Sequence, residues 1–96
     1  MGKIYVDQTN LIIDLDTGID LTSGVTSVAI KYTKPGIETV GEWDADVYDT
    51  THIRYTASAG EIDTEGIWTF WSYIYFSDDT EAPGEPGEVK VYLEGR

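Results

Sequence analysis

Apolar side chains recur at every second position along most of the chain, which is the period of a β-strand with one buried face and one solvated face. The clearest example is residues 42–48, where Trp43, Ala45 and Val47 share one face and acidic residues dominate the other. No window places apolar residues three to four apart behind a capping residue, as an amphipathic helix would. The pattern therefore predicts an all-β protein.

Turn residues divide this pattern into about seven strands. The Lys-Pro-Gly sequence at 34–36 is a strong turn signal, because proline presets φ and glycine permits a positive φ. Leu21 lies inside an irregular connection over residues 16–24, and its side chain is expected to be buried in the core. Residues 82–87 are rich in proline and glycine and are expected to join no ladder. The predicted strands cover residues 3–6, 11–15, 27–33, 42–48, 52–56, 67–76 and 88–93.

Strands of this number and spacing are typical of an immunoglobulin-like two-sheet antiparallel sandwich, and a partly open barrel is the main alternative. Residues 1–96 are expected to form one such domain, because a chain of 96 residues suits a single core. The expected core consists of the inward-facing residues Val28, Ile30, Trp43, Ile53, Tyr55, Trp68, Phe70, Val89 and Val91.

One local signature favours the sandwich. In residues 63–70, an aspartate and a glycine precede Trp68, as they precede the corner aromatic residue of immunoglobulin-like domains. Phe70 then takes the position at which antibody domains keep a cysteine, and Trp43 the place of their buried tryptophan. The chain contains no cysteine, so an antibody-type disulfide between the sheets is excluded.

The charge of the chain limits its partners. Eighteen acidic and six basic residues give a net charge of −12, which repels phosphate backbones and anionic membranes. The longest apolar run, residues 11–13, is far shorter than a membrane-spanning segment. We therefore expect binding neither to nucleic acid nor to a membrane. The same charge disfavours self-association, so the isolated domain is expected to be monomeric.

The residue types needed for catalysis are scarce. The chain has one histidine, no cysteine and no Gly-x-Ser-x-Gly elbow. His52 is expected on a solvent-facing strand position with no acid–base role, and close pairs of carboxylates arise by chance in so acidic a sequence. The expectation is a protein that is not an enzyme and needs no cofactor.

A weak metal candidate lies near the N-terminus. Asp14, Asp16 and Asp20 place carboxylates at alternating positions, as loops that bind hard cations such as calcium often do. An EF-hand loop would also need an oxygen ligand at Gly18, glycine at Ile19 and a glutamate further on, and none of these matches. A strand end followed by a turn is therefore the favoured interpretation.

The segment 67–76 is apolar on both faces. Trp71, Tyr73 and Tyr75 share the face opposite the predicted core, although the outer face of an antiparallel sheet is normally polar. Another part of the chain, a protein partner or a sugar stacked on the rings would each explain this second face. We expect a contact surface for another protein chain, widened by Tyr92 from the last strand.

Three stretches of the chain carry a resemblance: residues 26–36, residues 42–47, and residues 53–56 followed by 63–68. Together they resemble small tail-associated proteins of bacteriophages and prophages, and the immunoglobulin-like N-terminal domain of phage baseplate upper proteins. The resemblance implies a non-catalytic structural or accessory protein of the virion tail or baseplate, made in the cytoplasm of a bacterial host. Its partners would be other phage structural proteins. A carbohydrate-binding module with exposed aromatic residues is the alternative function.

Overall fold

The computed structural model describes residues 4–9, 11–36, 39–58 and 60–93, and over these residues it contains strands and turns but no helix. The prediction of an all-β fold is confirmed for this part of the chain. The strands are β1 (Ile4–Tyr5), β2 (Leu11–Asp16), β3 (Val25–Thr33), β4 (Gly41–Val47), β5 (His52–Ala57), β6 (Gly66–Phe76), β7 (Glu81–Pro83) and β8 (Gly87–Tyr92).

These strands form one hydrogen-bonded path in the order β1-β8-β6-β3-β4-β5-β2, and β7 pairs with the second half of β6. β4 connects the two parts of the path: residues 41–45 pair with β3, whereas Asp46 and Val47 pair with β5. The sheet curls until it is nearly closed into a barrel. The immunoglobulin-like sandwich of about seven strands is therefore not confirmed, because β4 joins what would be its two separate sheets.

Aromatic rings from four neighbouring strands fill the centre of the molecule. The ring of Trp43 lies 4.9 Å from that of Tyr55 and 4.3 Å from that of Tyr32. Trp68 and Phe70 of β6 stack beside it, 6.5 and 5.8 Å away. Each ring comes from an inward position of its strand, so the alternation along the sequence is what brings the rings together.

The expected core is largely confirmed. Of its nine residues, Tyr55 and Val89 are only partly buried and pack against the core, whereas the other seven are buried. Leu21 is buried as expected. The pattern gave no sign of Ile62, which is completely buried although it lies outside every strand.

Two expectations about strand positions are wrong. Val47 is 48% exposed instead of inward-facing, because it is the last residue of β4, where the strand has already left β3. Part of the segment expected to join no ladder forms β7, in which Pro83 is the register partner of Tyr73. Proline is tolerated there because β7 is a short strand that ends at this residue.

Candidate partner-binding surface

Trp71, Tyr73 and Tyr75, which we call the outer aromatic strip, lie on the outer face of β6. Their neighbours along the strand, such as Ser72 and Ile74, are buried, whereas each residue of the strip is partly exposed. β6 pairs with β3 on one side and with β7 and β8 on the other, so the strip runs between neighbouring strands and not along an edge. The sequence-based prediction of a shared outer face is confirmed.

Tyr73 is held by two charged residues from neighbouring strands. The ammonium nitrogen of Lys31 lies 3.5 Å from the ring centroid, a cation–π contact. The phenolic hydroxyl donates a hydrogen bond to Glu81 Oε1 at 2.5 Å. This hydrogen bond raises the pKa of Tyr73, because loss of the proton would place two negative charges side by side.

Tyr75 is also held by charged residues, in this case from β3 and β4. Its hydroxyl donates to the Glu42 carboxylate at 3.0 and 3.2 Å, and Lys31 lies 3.9 Å from the same carboxylate. Desolvation, together with the hydrogen bond to Glu42, raises the pKa of Tyr75 to about 12. The rings of Tyr73 and Tyr75 are 5.2 Å apart and tilted by 60°. The two tyrosines are therefore ordered within one network of charged side chains.

The structure does not place Tyr92 beside the outer aromatic strip. Its neighbour Val91 is the register partner of Gly66, at the start of β6. Tyr73 lies seven residues further along that strand, which corresponds to about 23 Å. Tyr92 instead lies near Tyr5, with the two ring centroids 6.3 Å apart.

Parts of the same chain frame the strip but do not bury it. The segment 77–87, which could have folded over the rings, contributes β7, and β7 pairs alongside β6 within the sheet. β1 pairs with β8, where it extends the sheet instead of covering the strip. Ala29, opposite Tyr73 on β3, is buried on the outer face, so the rings do cover part of the neighbouring strand. Intramolecular packing therefore covers most of the aromatic surface but leaves part of each residue exposed.

The structure gives the three carboxylates of the metal candidate different partners. Asp14 accepts two hydrogen bonds from Arg54, at 2.7 and 3.1 Å, and these lower the pKa of Asp14. Asp16 accepts from the backbone of Gly18, and Asp20 from both the backbone and the hydroxyl of Thr22. Across the described residues, no group of three or more histidine, cysteine or acidic side chains is arranged to hold a metal ion.

His52 lies on the strand position expected from the sequence, partly exposed and next to acidic residues. Its Nδ1 is 2.8 Å from Asp49 Oδ1 across the turn, and its Nε2 is 4.0 Å from Asp16 Oδ2. The contact with Asp49 raises the pKa of His52, because the carboxylate stabilises the imidazolium form. The arrangement is that of a surface ion pair.

Sequence reasoning missed a groove of about 550 Å³ where the two ends of the sheet face each other. We call it the seam groove; residues 11–15 of β2 and 89–92 of β8 line it, with Ile4, Ile62 and Phe70. One signal was present in the sequence, since residues 11–13 are all apolar and interrupt the alternation. The other side of the groove comes from the far end of the chain, which no local pattern connects to β2.

Comparisons with known proteins add no family assignment. No protein-family model matches the sequence, and neither the curated proteins nor the solved structures give a significant match. In the part of the chain that the structure describes, no helix has the length and apolar character needed to cross a membrane.

Proposed function

We propose that this domain is a non-catalytic contact module that binds another protein through the outer aromatic strip. The observation that carries the proposal is the partial exposure of Trp71, Tyr73 and Tyr75 on one ordered face. Tryptophan and tyrosine are enriched among the residues that contribute most to binding at interfaces. Because Lys31, Glu42 and Glu81 already hold the tyrosines, little side-chain entropy would be lost on association.

Charge indicates the kind of partner. Two carboxylates, Glu42 and Glu81, border the strip, and the whole chain has a net charge of −12. A partner with basic residues around an apolar centre would complement this surface, and its approach would be electrostatically steered. A second copy of the same chain would be repelled at low salt, so we propose a heterologous contact made by a monomeric domain.

The biological setting that we propose is the tail or baseplate of a bacteriophage virion, with other phage structural proteins as partners. The support is the resemblance of residues 26–36, 42–47, 53–56 and 63–68 to phage tail-associated proteins and to the N-terminal domain of baseplate upper proteins. The protein would be made in the bacterial host cytoplasm and carried in the particle.

An immunoglobulin-like architecture is part of the same proposal. In that interpretation β2 and β5 form one sheet and β1, β8, β6 and β3 the other, with β4 passing between them. Two features support it: the antiparallel pairing of β2 with β5, and a Trp68 indole that donates to the Thr64 carbonyl oxygen four residues upstream. A hydrogen bond from an aromatic side chain to upstream backbone is typical of the corner at this strand in such domains.

Carbohydrate binding through the same rings is the competing function. A sugar stacks on the open, flat face of an aromatic ring, and the partly exposed ring of Trp71 could offer one. Lys31 already occupies one face of Tyr73, and the ring of Tyr75 is tilted by 60° to that of Tyr73. These contacts favour a protein partner over a sugar.

Site-specific photo-crosslinking in the producing bacterium tests the proposal. A photoreactive amino acid replaces Trp71 in one strain and Val47, an exposed residue of β4, in a control strain. We expect the Trp71 position to crosslink to another structural protein of the particle, and the Val47 position to give no such product. Crosslinks from both positions, or from neither, would contradict the assignment of the strip.

A titration of the isolated domain with oligosaccharides separates the two functions. We expect the amide signals of residues 71–75 to remain unchanged when oligosaccharides are added. Saturable shifts confined to these residues, lost in Trp71→Ala and retained in Ile67→Ala, would favour the carbohydrate-binding module instead. Ile67 is a suitable control because it is an exposed apolar residue on the same strand, outside the strip.

A further inference from the structure

We propose that the seam groove accepts an extended segment of a partner protein, which adds to the free edge of β2 as a further β-strand. This site is separate from the outer aromatic strip, because it lies where the two ends of the sheet face each other. The inference therefore does not depend on the proposed function of the strip.

The groove lies along strand edges and not over a strand face. Successive side chains of a strand point to opposite faces, so a cavity that contacts only one face is lined by every second residue. The seam groove is lined by the consecutive residues 11–15 on one side and 89–92 on the other. Among the described residues β2 pairs only with β5, so its second edge faces the groove with backbone groups that no strand covers.

This edge of β2 lacks most of the features that normally block strand addition, and its charged side chains are the carboxylates of Asp14 and Asp16. Edge strands are commonly protected by lysine, proline, a bulge or very short length. β2 has the sequence Leu-Ile-Ile-Asp-Leu-Asp and pairs with β5 through six register partners without a bulge. Ile12 is 52% exposed on it. A regular, apolar edge of about 20 Å is suited to recognition by strand addition.

The side chains of β2 specify the chemistry of the added strand. Leu11, Ile13 and Leu15 face the interior and are half-buried, so the added strand needs apolar residues at alternate positions. Asp14 and Asp16 face outward, and the Asp16 side chain is 63% exposed. Arg54 already pairs with Asp14, so lysine or arginine at the intervening positions would complement chiefly Asp16. The occupant that fits is an extended segment in which apolar and basic residues alternate.

A second copy of this chain fits the edge less well. β2 of one copy against β2 of another would bring the carboxylates of Asp14 and Asp16 from both chains to one pair of strands. Like charges on neighbouring strands are destabilising, and each copy also has a net charge of −12. Charge complementarity therefore favours a basic partner segment.

The test uses the full chain labelled with ¹⁵N and three synthetic peptides. The first is amidated Lys-Val-Lys-Val-Lys-Val-Lys; the second has the same composition in the order Lys-Lys-Lys-Lys-Val-Val-Val; the third is the first with glutamate in place of lysine. We expect the alternating basic peptide to shift the amide signals of residues 11–15 and to slow their hydrogen exchange. The rearranged and acidic peptides should bind at least about tenfold more weakly.

Two matched variants locate the site. Ile12→Lys places a positive charge on the edge, and Val47→Lys makes the same kind of change at an equally exposed strand position outside the groove. We expect Ile12→Lys to weaken binding of the alternating peptide about tenfold, which corresponds to about 1.4 kcal/mol, and Val47→Lys to leave it within about twofold.

Several outcomes would overturn the inference. One is equal binding of the alternating and rearranged peptides, which would mean general attraction of positive charge to an acidic protein. Another is the absence of saturable shifts in residues 11–15. A third is concentration-dependent shifts in these residues without any peptide, which would make a second copy the occupant.

Discussion

The indole nitrogen of Trp68 donates a hydrogen bond of 2.8 Å to the carbonyl oxygen of Thr64, and the Trp68 side chain has no exposure to solvent. One residue therefore fills the core and fixes the turn that precedes β6. Trp68→Ala should lower the free energy of unfolding by about 3–5 kcal/mol, out of a typical total of about 5–15 kcal/mol. Urea denaturation followed by circular dichroism measures the change.

Two further substitutions separate packing from the hydrogen bond. Trp68→Phe keeps an aromatic ring but leaves the Thr64 carbonyl without its donor, so we expect a smaller loss of about 1–3 kcal/mol. Trp71→Ala, at a partly exposed position on the same strand, should cost less than Trp68→Ala. Equal unfolding midpoints for Trp68→Ala and the unmodified chain would show that the core is assigned wrongly.

Gly41 lies directly beneath the ring of Tyr32, its register partner on β3. A Cβ atom at Gly41 would lie 2.2 Å from Cζ of that ring. The ring of Trp43, whose centroid is 4.3 Å from that of Tyr32, limits how far the Tyr32 ring can move away. Gly41→Ala should therefore destabilise the domain by about 1–3 kcal/mol through overpacking. Thermal unfolding of the variant measures this loss.

Gly87→Ala is the matched control for this prediction. Gly87 is also a strand residue, but an added Cβ atom there meets nothing within 4 Å. We expect its unfolding temperature to stay close to that of the unmodified chain. In a Tyr32→Leu background, Gly41→Ala should cost less than in the natural background; an unchanged cost would mean that the ring is not the obstacle.

The titration of His52 should report its contact with Asp49. His52 is the one histidine in the chain, so its ring signals in a proton NMR titration are unambiguous. Its pKa is raised above the ordinary value of 6.5, and Asp49→Asn should lower it again. The stabilisation from this pair is present between the ordinary carboxyl pKa of 3.8 and about pH 6.5. It is lost as the pH rises through the raised pKa of His52, and also as the pH falls through the lowered pKa of Asp49.

Asp16→Asn serves as the comparison for Asp49→Asn. Asp16 lies 4.0 Å from the other ring nitrogen, whereas Asp49 lies 2.8 Å from Nδ1. We therefore expect Asp16→Asn to lower the pKa of His52 by less. The reverse order would contradict the assignment of Asp49 as the main partner.

Tyr55 and Tyr75 should lose their phenolic protons at a higher pH than an ordinary tyrosine. Desolvation raises the pKa of each to about 12, assisted by hydrogen bonds to Glu61 and Glu42 respectively. Because the folded state holds these protons more tightly, their stabilisation is complete below about pH 10 and is lost as the pH rises towards 12. Absorbance titration of the phenolates measures both groups.

Single substitutions show which tyrosines are responsible for the high-pH part of that titration curve. Tyr55→Phe and Tyr75→Phe should each remove one late-titrating group from the curve. If neither substitution changed the high-pH part of the curve, the hydrogen bonds of Tyr55 to Glu61 and of Tyr75 to Glu42 would not persist in solution.

Strand faces could be predicted from the sequence because the face of a side chain is set by the local backbone alone. This is why the inward positions of Val28, Ile30 and Ile53, and the common outer face of Trp71 and Tyr73, agree with the structure. The residues next to each of them along the chain are polar or lie clearly on the opposite face of the strand.

The features that could not be predicted depend on how distant strands meet. The separation of Tyr92 from Tyr73 follows from the register of β8 against β6, which no local pattern specifies. The exposure of Val47 follows from the change of partner along β4. Ile62 lies alone between two acidic residues and is buried only because the chain passes over the core there. The seam groove likewise exists only after β2 and β8 have been brought together.

The pairing of β1 with β8 has a consequence for synthesis on the ribosome. Ile4 lies opposite Val91, so the partner of the first strand leaves the ribosome long after β1 itself. At about 5–20 residues per second, the intervening chain takes roughly 4–17 s to make. β6 itself is made only near the end of that time, and the side of it that β8 will cover, with Trp68 at its centre, then stays open until residues 87–92 have been made. The nascent chain is therefore most exposed to aggregation and to chaperone binding just before its last strand emerges, and the domain can complete its fold only after that strand is free.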